Sequence, residues 1–212
     1  MGKLYGRYIK RGLDILLSGG AALLLSPLFL ALAAAIVIDD PGSVFFRQKR
    51  VGRGKTYFEI LKFRTMRADT PKDVPTHLMQ NPEQYITRVG RFLRRTSLDE
   101  LPQIWQILTG KMSVIGPRPA LWNQYDLIAE RDKYGANDLR PGLTGWAQIN
   151  GRDELPIPVK ARYDGEYAAR MSFGFDCRCF FGTIVGVIRQ DGVVEGGTRG
   201  AEDCGTEKGE ES

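Results

Sequence analysis

Residues 23–30 read LLLSPLFL, the middle of an apolar run that starts at Ile15 and meets no charge before Asp39. A run of this size approaches the roughly 20 residues that a bilayer-crossing helix needs. At its centre Ser26 precedes Pro27, and a proline removes one backbone hydrogen bond and clashes with the turn before it. The run therefore reads as two half-helices, residues 15–26 and 28–38. Each, at about 11 or 12 residues, reaches roughly 17 Å, or about half of a hydrocarbon core. Lys3, Arg7, Lys10 and Arg11 precede the run, and Arg47, Lys49, Arg50, Arg53 and Lys55 follow it. A spanning helix would place one basic cluster outside the cell. A segment that enters and turns back at Ser26–Pro27 keeps both clusters on the cytoplasmic face, as the positive-inside rule prefers. A proline-kinked span remains the alternative. A cleaved signal peptide fits less well, since the run is long and no small-x-small cleavage site follows it. Asp14, at the entrance, is expected at the interface, paired with Lys10 or Arg11.

At 212 residues with net charge +5, the chain suits one domain plus an anchor and points to anionic partners: phosphates, nucleic acid or lipid head groups. The three cysteines, Cys177, Cys179 and Cys204, have no disulfide-framework spacing, which fits a reducing compartment. The Cys177-x-Cys179 pair has no histidine beside it and reads as ordinary thiols rather than metal ligands. His77 is the single histidine and lies in a polar, proline-containing stretch, residues 68–84, that reads as an exposed loop. Neither a Ser-His-Asp triad nor a histidine-rich metal site is to be expected from it. Acid, base and nucleophile should be sought among carboxylates and lysines.

Beyond the anchor, the pattern predicts a mixed α/β domain. Residues 43–66, SVFFRQKRVGRGKTYFEILKFRTM, read as two strands joined through Gly52 and Gly54. Helices are expected over 98–108, ended by Gly110, over 120–133, ended by Gly135, and over 160–171. An apolar helix over 180–188 is weakened by Gly182 and Gly186. Residues 140–158 look irregular, and the glycine- and charge-rich end from 191 to 212 reads as a disordered tail. This divides the chain into an anchor (1–40), a catalytic domain (41–190) and the tail.

The chemistry concentrates in LRRTSLDELPQ, residues 93–103. Asp99 and Glu100 follow Arg94 and Arg95 and open the expected helix. Ser97 and Glu100 fit a capping box, and acids suit a helix's first turn; taken alone, that is the commoner meaning of the pattern. Against it stands the company of Arg94 and Arg95, because a helix N-terminus flanked by arginines can take a phosphate. The same positive field would keep Asp99 ionised, as a carboxylate nucleophile requires. In GPRP, residues 116–119, two prolines limit the backbone around Arg118 and suit it to bidentate phosphate recognition. Lys62 and Arg64 alternate with Leu61 and Phe63, which in a strand puts both cations on one face.

Taken in order, the basic start, LLLSPLFL, LKFRTM (61–66), LRRTSLDELPQ, GPRP and RPGLTGWAQING (140–151) resemble the bacterial sugar transferase family, the monotopic phosphoglycosyl transferases, over about residues 5–190. The resemblance implies a compact mixed α/β domain with a re-entrant helix-break-helix anchor and additional interfacial helices. It implies transfer of a phosphosugar from a UDP-sugar to a polyprenyl phosphate at the cytoplasmic face of the bacterial inner membrane. That reaction would start a capsule, exopolysaccharide, O-antigen or glycoprotein glycan. Carried over by motif, Asp99 is the nucleophile and Glu100 its acidic partner, with Mg2+ at the pair. Arg94 and Arg118 hold phosphates and Lys62 adds charge, with Arg95, Arg64 and Asp164 as further candidates. Around residues 174–186 the chain departs from the family pattern. A basic module binding anionic lipid or nucleic acid is the rival reading, but it gives no reason for an acidic pair among arginines, and no nucleic-acid partner is expected. No residue pattern specifies the sugar or an oligomeric state.

Overall fold

The computed structural model describes residues 4–70, 82–151 and 155–189. The loop around His77 and the tail from 191 lie outside the described residues. A π-helical turn, Tyr5–Ile9, leads into α1 (Lys10–Leu24), and α2 (Ser26–Asp39) follows at a bend of 61°. The break falls on Leu25, with φ −90° and ψ 2°, one residue before the Ser26–Pro27 pair. Pro27 thereby sits in the first turn of α2, where its missing N–H costs nothing. In an unbroken helix the amide of residue 27 would bond to the carbonyl of Leu23. Here the Ser26 hydroxyl donates to that carbonyl at 2.8 Å. Among the described residues no single helix is long and apolar enough to cross a membrane, whereas the bent pair has the length and composition together. Leu16, Leu17, Leu23, Leu24, Leu30 and Ile38 are all exposed along it.

Helix α1 is docked onto the following elements by polar contacts. Asp14 does not pair with Lys10 or Arg11. It is buried and accepts from the Ser113 hydroxyl at 3.0 Å and the Val114 amide at 2.9 Å. Lys10 instead pairs with Asp176 at 2.6 Å, and Arg11 donates to the carbonyls of Ile107 and Leu108 at 2.6 and 2.8 Å. Lys10, Arg11 and Asp14 thus each have a partner in the later part of the chain, which satisfies them better than a wet interface would.

The expected hairpin is present: β1 (Phe45–Val51) pairs antiparallel with β2 (Tyr57–Phe63), from Phe45 opposite Phe63 to Val51 opposite Tyr57. Gly54 and Lys55 turn it with φ near +60°. At its open end Phe63 packs with Leu32 and Ile36 of α2 and with Leu93. On the other face Ile60 packs with Ile107 and Met112. A helix not anticipated from the sequence, α3 (Arg88–Thr96), precedes α4 (Gln103–Leu108), which starts later than residue 98. Two three-residue strands, β3 (Ser113–Ile115) and β4 (Gly142–Thr144), pair parallel; β4 lies within the stretch read as irregular, and β3 in one to which the sequence assigns no element. α5 (Tyr125–Asp132) is shorter than 120–133, because residues 120 and 121 are drawn onto β1: the Val51 amide bonds to Ala120, and Arg50 bridges Leu121. α6 (Trp146–Ile149), α7 (Ile157–Arg170) and α8 (Phe173–Arg189) complete the described residues. α8 begins well before residue 180. Cys179 is buried with Ile115, Trp146, Tyr167 and Phe175, which accounts for it as a core thiol.

Candidate active site

α3 starts at Thr87, whose hydroxyl accepts from the Gly90 amide at 2.9 Å. A Cβ on Gly90 would collide with the backbone of Thr65, so glycine lets this helix lie directly on the chain leaving β2. One turn on, Arg94 donates its Nε to the Thr65 hydroxyl at 2.9 Å. Ser97 ends the helix in the left-handed conformation, φ 57°, and makes no capping bond with its side chain. The capping box is therefore not formed. Leu98–Glu100 make one tight turn before α4. Leu98 and Leu101 pack into the cluster of Leu32, Ile36, Phe63 and Leu93. Asp99 and Glu100 are thus carried between two leucines that rest against α2 and the end of β2.

Lys62, on β2, reaches across to both carboxylates, at 2.7 Å from Glu100 Oε1 and 3.3 Å from Asp99 Oδ2. Arg118 Nη2 meets the same Glu100 oxygen at 3.1 Å. The two acids are electrostatically unequal. Burial pushes the Glu100 carboxyl up, but Lys62 and Arg118 overcome it and hold the group down at about 2. For Asp99 burial dominates, opposed by Lys62 and assisted by the Glu100 charge, so its pKa is raised. The positive field expected at Asp99 comes first from Lys62, which is shared with Glu100, and Arg94 contributes least of the named influences, so burial outweighs them. Glu100 is a fixed anion gripped by two cations, while Asp99 is the more loosely engaged carboxylate.

Lys62, Asp99, Glu100 and Arg118 therefore meet in one place, with the Arg94 charge close enough to act on Asp99. Arg95 is exposed on the last turn of α3. Arg64 is turned away: its guanidinium pairs with the Asp40 carboxylate at 2.9 Å and also donates to the Asp40 carbonyl, securing the end of α2. Asp164 is buried behind the site, paired with Arg131 at 2.6 Å. Arg131 and Thr65 carry no sequence signal that singles them out; one is a charge within a helix, the other a threonine after a strand.

Among the described residues no group of three or more histidine, cysteine, aspartate or glutamate side chains could hold a metal. The adjacent carboxylates of Asp99 and Glu100 nonetheless offer hard oxygen donors, and Mg2+ is commonly held by one or two carboxylates with substrate phosphates supplying the rest. The donor set fits that ion.

The chain belongs to the bacterial sugar transferase family, whose model matches residues 5–190. It is 41% identical over 186 residues to the UDP-glucose:undecaprenyl-phosphate glucose-1-phosphate transferase of Escherichia coli (strain K12), a match covering 84% of this chain and 40% of that protein. It is 38% identical over 183 residues to the UDP-N-acetylgalactosamine-undecaprenyl-phosphate N-acetylgalactosaminephosphotransferase of Aeromonas hydrophila, covering 84% of this chain and 43% of that protein. With the exopolysaccharide production protein ExoY of Rhizobium meliloti (strain 1021) it shares 36% identity over 201 residues, 88% of each. The chain thus spans about two fifths of the first two relatives and most of the third.

Proposed function

We propose that this protein transfers a phosphosugar from a UDP-sugar to a polyprenyl phosphate, of the undecaprenyl kind, at the cytoplasmic face of the bacterial membrane. The product would be a polyprenyl-diphospho-sugar on which an exopolysaccharide or related glycan is built. The observation that carries the reading is the Asp99–Glu100 pair between Lys62 and Arg118, on a turn whose flanking leucines pack against the anchor helix. A carboxylate so placed can meet a phosphate presented at head-group level by a lipid whose tail stays in the bilayer. A membrane-anchored binding module would have no use for a buried acidic pair. The names of the relatives supply the substrate classes.

In the first step an Asp99 oxygen forms a bond to the sugar-bearing β-phosphorus. The bond from that phosphorus to the bridging oxygen breaks, and UMP leaves with the electron pair. In the second step an oxygen of the polyprenyl phosphate attacks the same phosphorus, and the bond to Asp99 breaks, restoring the carboxylate. Arg118 and Arg94 hold the negative oxygens of the diphosphate, and Lys62 offsets charge as it develops on the transferring group. Glu100 fixes Lys62 and Arg118 toward Asp99. Mg2+, held by Asp99 and Glu100, would neutralise phosphate charge and so make the phosphorus easier to attack.

The test is UMP release by purified protein, with Mg2+, from a panel of UDP-sugars led by UDP-glucose and UDP-N-acetylgalactosamine, with and without polyprenyl phosphate. Turnover with one of them, dependent on the lipid acceptor, is expected. Tight lipid binding without UMP release from any of them would favour the binding-module reading.

A further inference from the structure

Arg118 stands on a segment whose backbone is bonded at every carbonyl. The Pro117 carbonyl accepts from the Gly142 amide at 2.9 Å, and that of Ala120 from the Val51 amide at 2.9 Å. The Pro119 carbonyl accepts from Arg50 Nη1 at 3.0 Å. The Arg118 carbonyl itself accepts from Arg131 Nη2 at 3.0 Å. Pro117 and Pro119 have no N–H to offer and have restricted φ, so the position of residue 118 is set largely from its carbonyls.

Arg131 reaches this carbonyl from α5 with a guanidinium that is itself fixed. Its Nε and Nη2 lie 2.8 and 2.6 Å from Asp164 Oδ2 on α7, and the two side chains are only 4% and 1% exposed. A buried ion pair is seldom the most stabilising choice for its site, since apolar residues of similar volume often do as well or better. This pair joins two helices to the backbone of a loop residue that touches Glu100, and a planar fork can make both contacts where an ammonium cannot.

We infer that Arg131, oriented by Asp164, is a positioning residue that fixes the Arg118 guanidinium on Glu100 by gripping the Arg118 carbonyl. This rests on Asp99, Glu100 and Arg118 being the reaction centre. It gives Asp164 a place in the machinery one step removed from the substrate, and it adds Arg131, which touches neither carboxylate of the pair.

The test is the joint replacement Arg131→Met with Asp164→Leu, which leaves no lone buried charge. Hydrogen exchange followed by mass spectrometry reads the peptide over residues 113–124 without substrate. We expect its exchange to quicken by about tenfold or more while the β1–β2 hairpin is unchanged. In the UMP-release assay kcat/KM should fall by about tenfold or more, through misplacement of Arg118. In an Arg118→Lys background the same replacement should cost no more than about twofold further, since both changes remove one interaction. If the joint variant does not fold, Arg131→Lys, which keeps the charge beside Asp164 but not the fork, is read in the same way. Unchanged exchange over 113–124, or losses that multiply fully with Arg118→Lys, overturns the inference. Absence of UMP release by the wild type would remove the proposed reaction, while the exchange measurement would still decide whether Arg131 fixes the Arg118 segment.

Discussion

The carboxylate of Asp14, four residues into α1, is bound by the hydroxyl of Ser113 at 3.0 Å, on the strand that begins the parallel pair. With the Val114 amide on the same oxygen, this ties α1 to β3. Asp14→Ala leaves a buried amide and hydroxyl unsatisfied, a loss of about 1–3 kcal/mol. Thermal unfolding in detergent should show a clear fall in Tm. An unchanged Tm would mean that the anchor is held by its apolar contacts alone.

The bend at Leu25 is supported by Ser26, whose hydroxyl takes the Leu23 carbonyl that Pro27 cannot. If the anchor enters and returns, single cysteines introduced at positions 2 and 43 of a cysteine-free chain will both be labelled from the cytoplasmic side only. Labelling of either from outside intact cells contradicts the re-entrant reading. Pro27→Leu restores an amide for the Leu23 carbonyl and is expected to shift a fraction of molecules to the spanning form.

Arg118 is judged by its shape rather than its charge. Arg118→Lys keeps the cation beside Glu100 but loses the planar fork, and activity should fall by about tenfold or more with folding retained. Wild-type turnover in this variant would reduce Arg118 to a neutralising charge for Glu100.

How far such a site can be read without coordinates depends on whether its signals are local. The break at Ser26–Pro27, the strand alternation leading to Lys62, and the Asp99–Glu100 doublet all declare themselves within a few residues. The capping box did so too, and misled: Ser97 with Glu100 has the right letters, yet Ser97 closes the preceding helix in a left-handed conformation, which spacing alone does not disclose. β3 and β4 are three residues each and sit among glycines and prolines, too short for any periodicity. The partners of Asp14 and Asp164 lie 99 and 33 residues away, and nothing in the neighbourhood of either acid names them.

Glu100 should shape the acid stability of the protein. Its folded pKa lies at about 2, below the ordinary glutamate value of about 4.3. The unfolded chain therefore binds the proton first as pH falls. Stability from this group is complete above the ordinary value and is lost as pH falls from there toward about 2, on the order of 3 kcal/mol in all. Urea unfolding at pH 6 and pH 3 should show a smaller acid loss in Glu100→Gln than in the wild type. Equal losses would assign the acid sensitivity to other carboxylates.

If Asp99 carries the chemistry, as proposed, its replacement separates that role from a structural one. The raised folded pKa of Asp99 means that the folded state binds its proton more readily than the unfolded chain does. Ionisation of this group thus subtracts from stability as pH rises through the folded value. Asp99→Asn is close to isosteric and cannot ionise, so the variant should be as stable as the wild type at neutral pH, or more so. A helix-capping role would instead predict a loss of about 1 kcal/mol. Catalysis should nevertheless disappear. Wild-type protein mixed with its UDP-sugar and no polyprenyl phosphate is expected to release about one equivalent of UMP per site and to gain the mass of a phosphosugar, because the first displacement needs no acceptor. Asp99→Asn should show neither. If the wild type turns over rapidly with acceptor yet never carries that mass, the polyprenyl phosphate attacks the UDP-sugar directly, and Asp99 serves only to hold charge at the diphosphate.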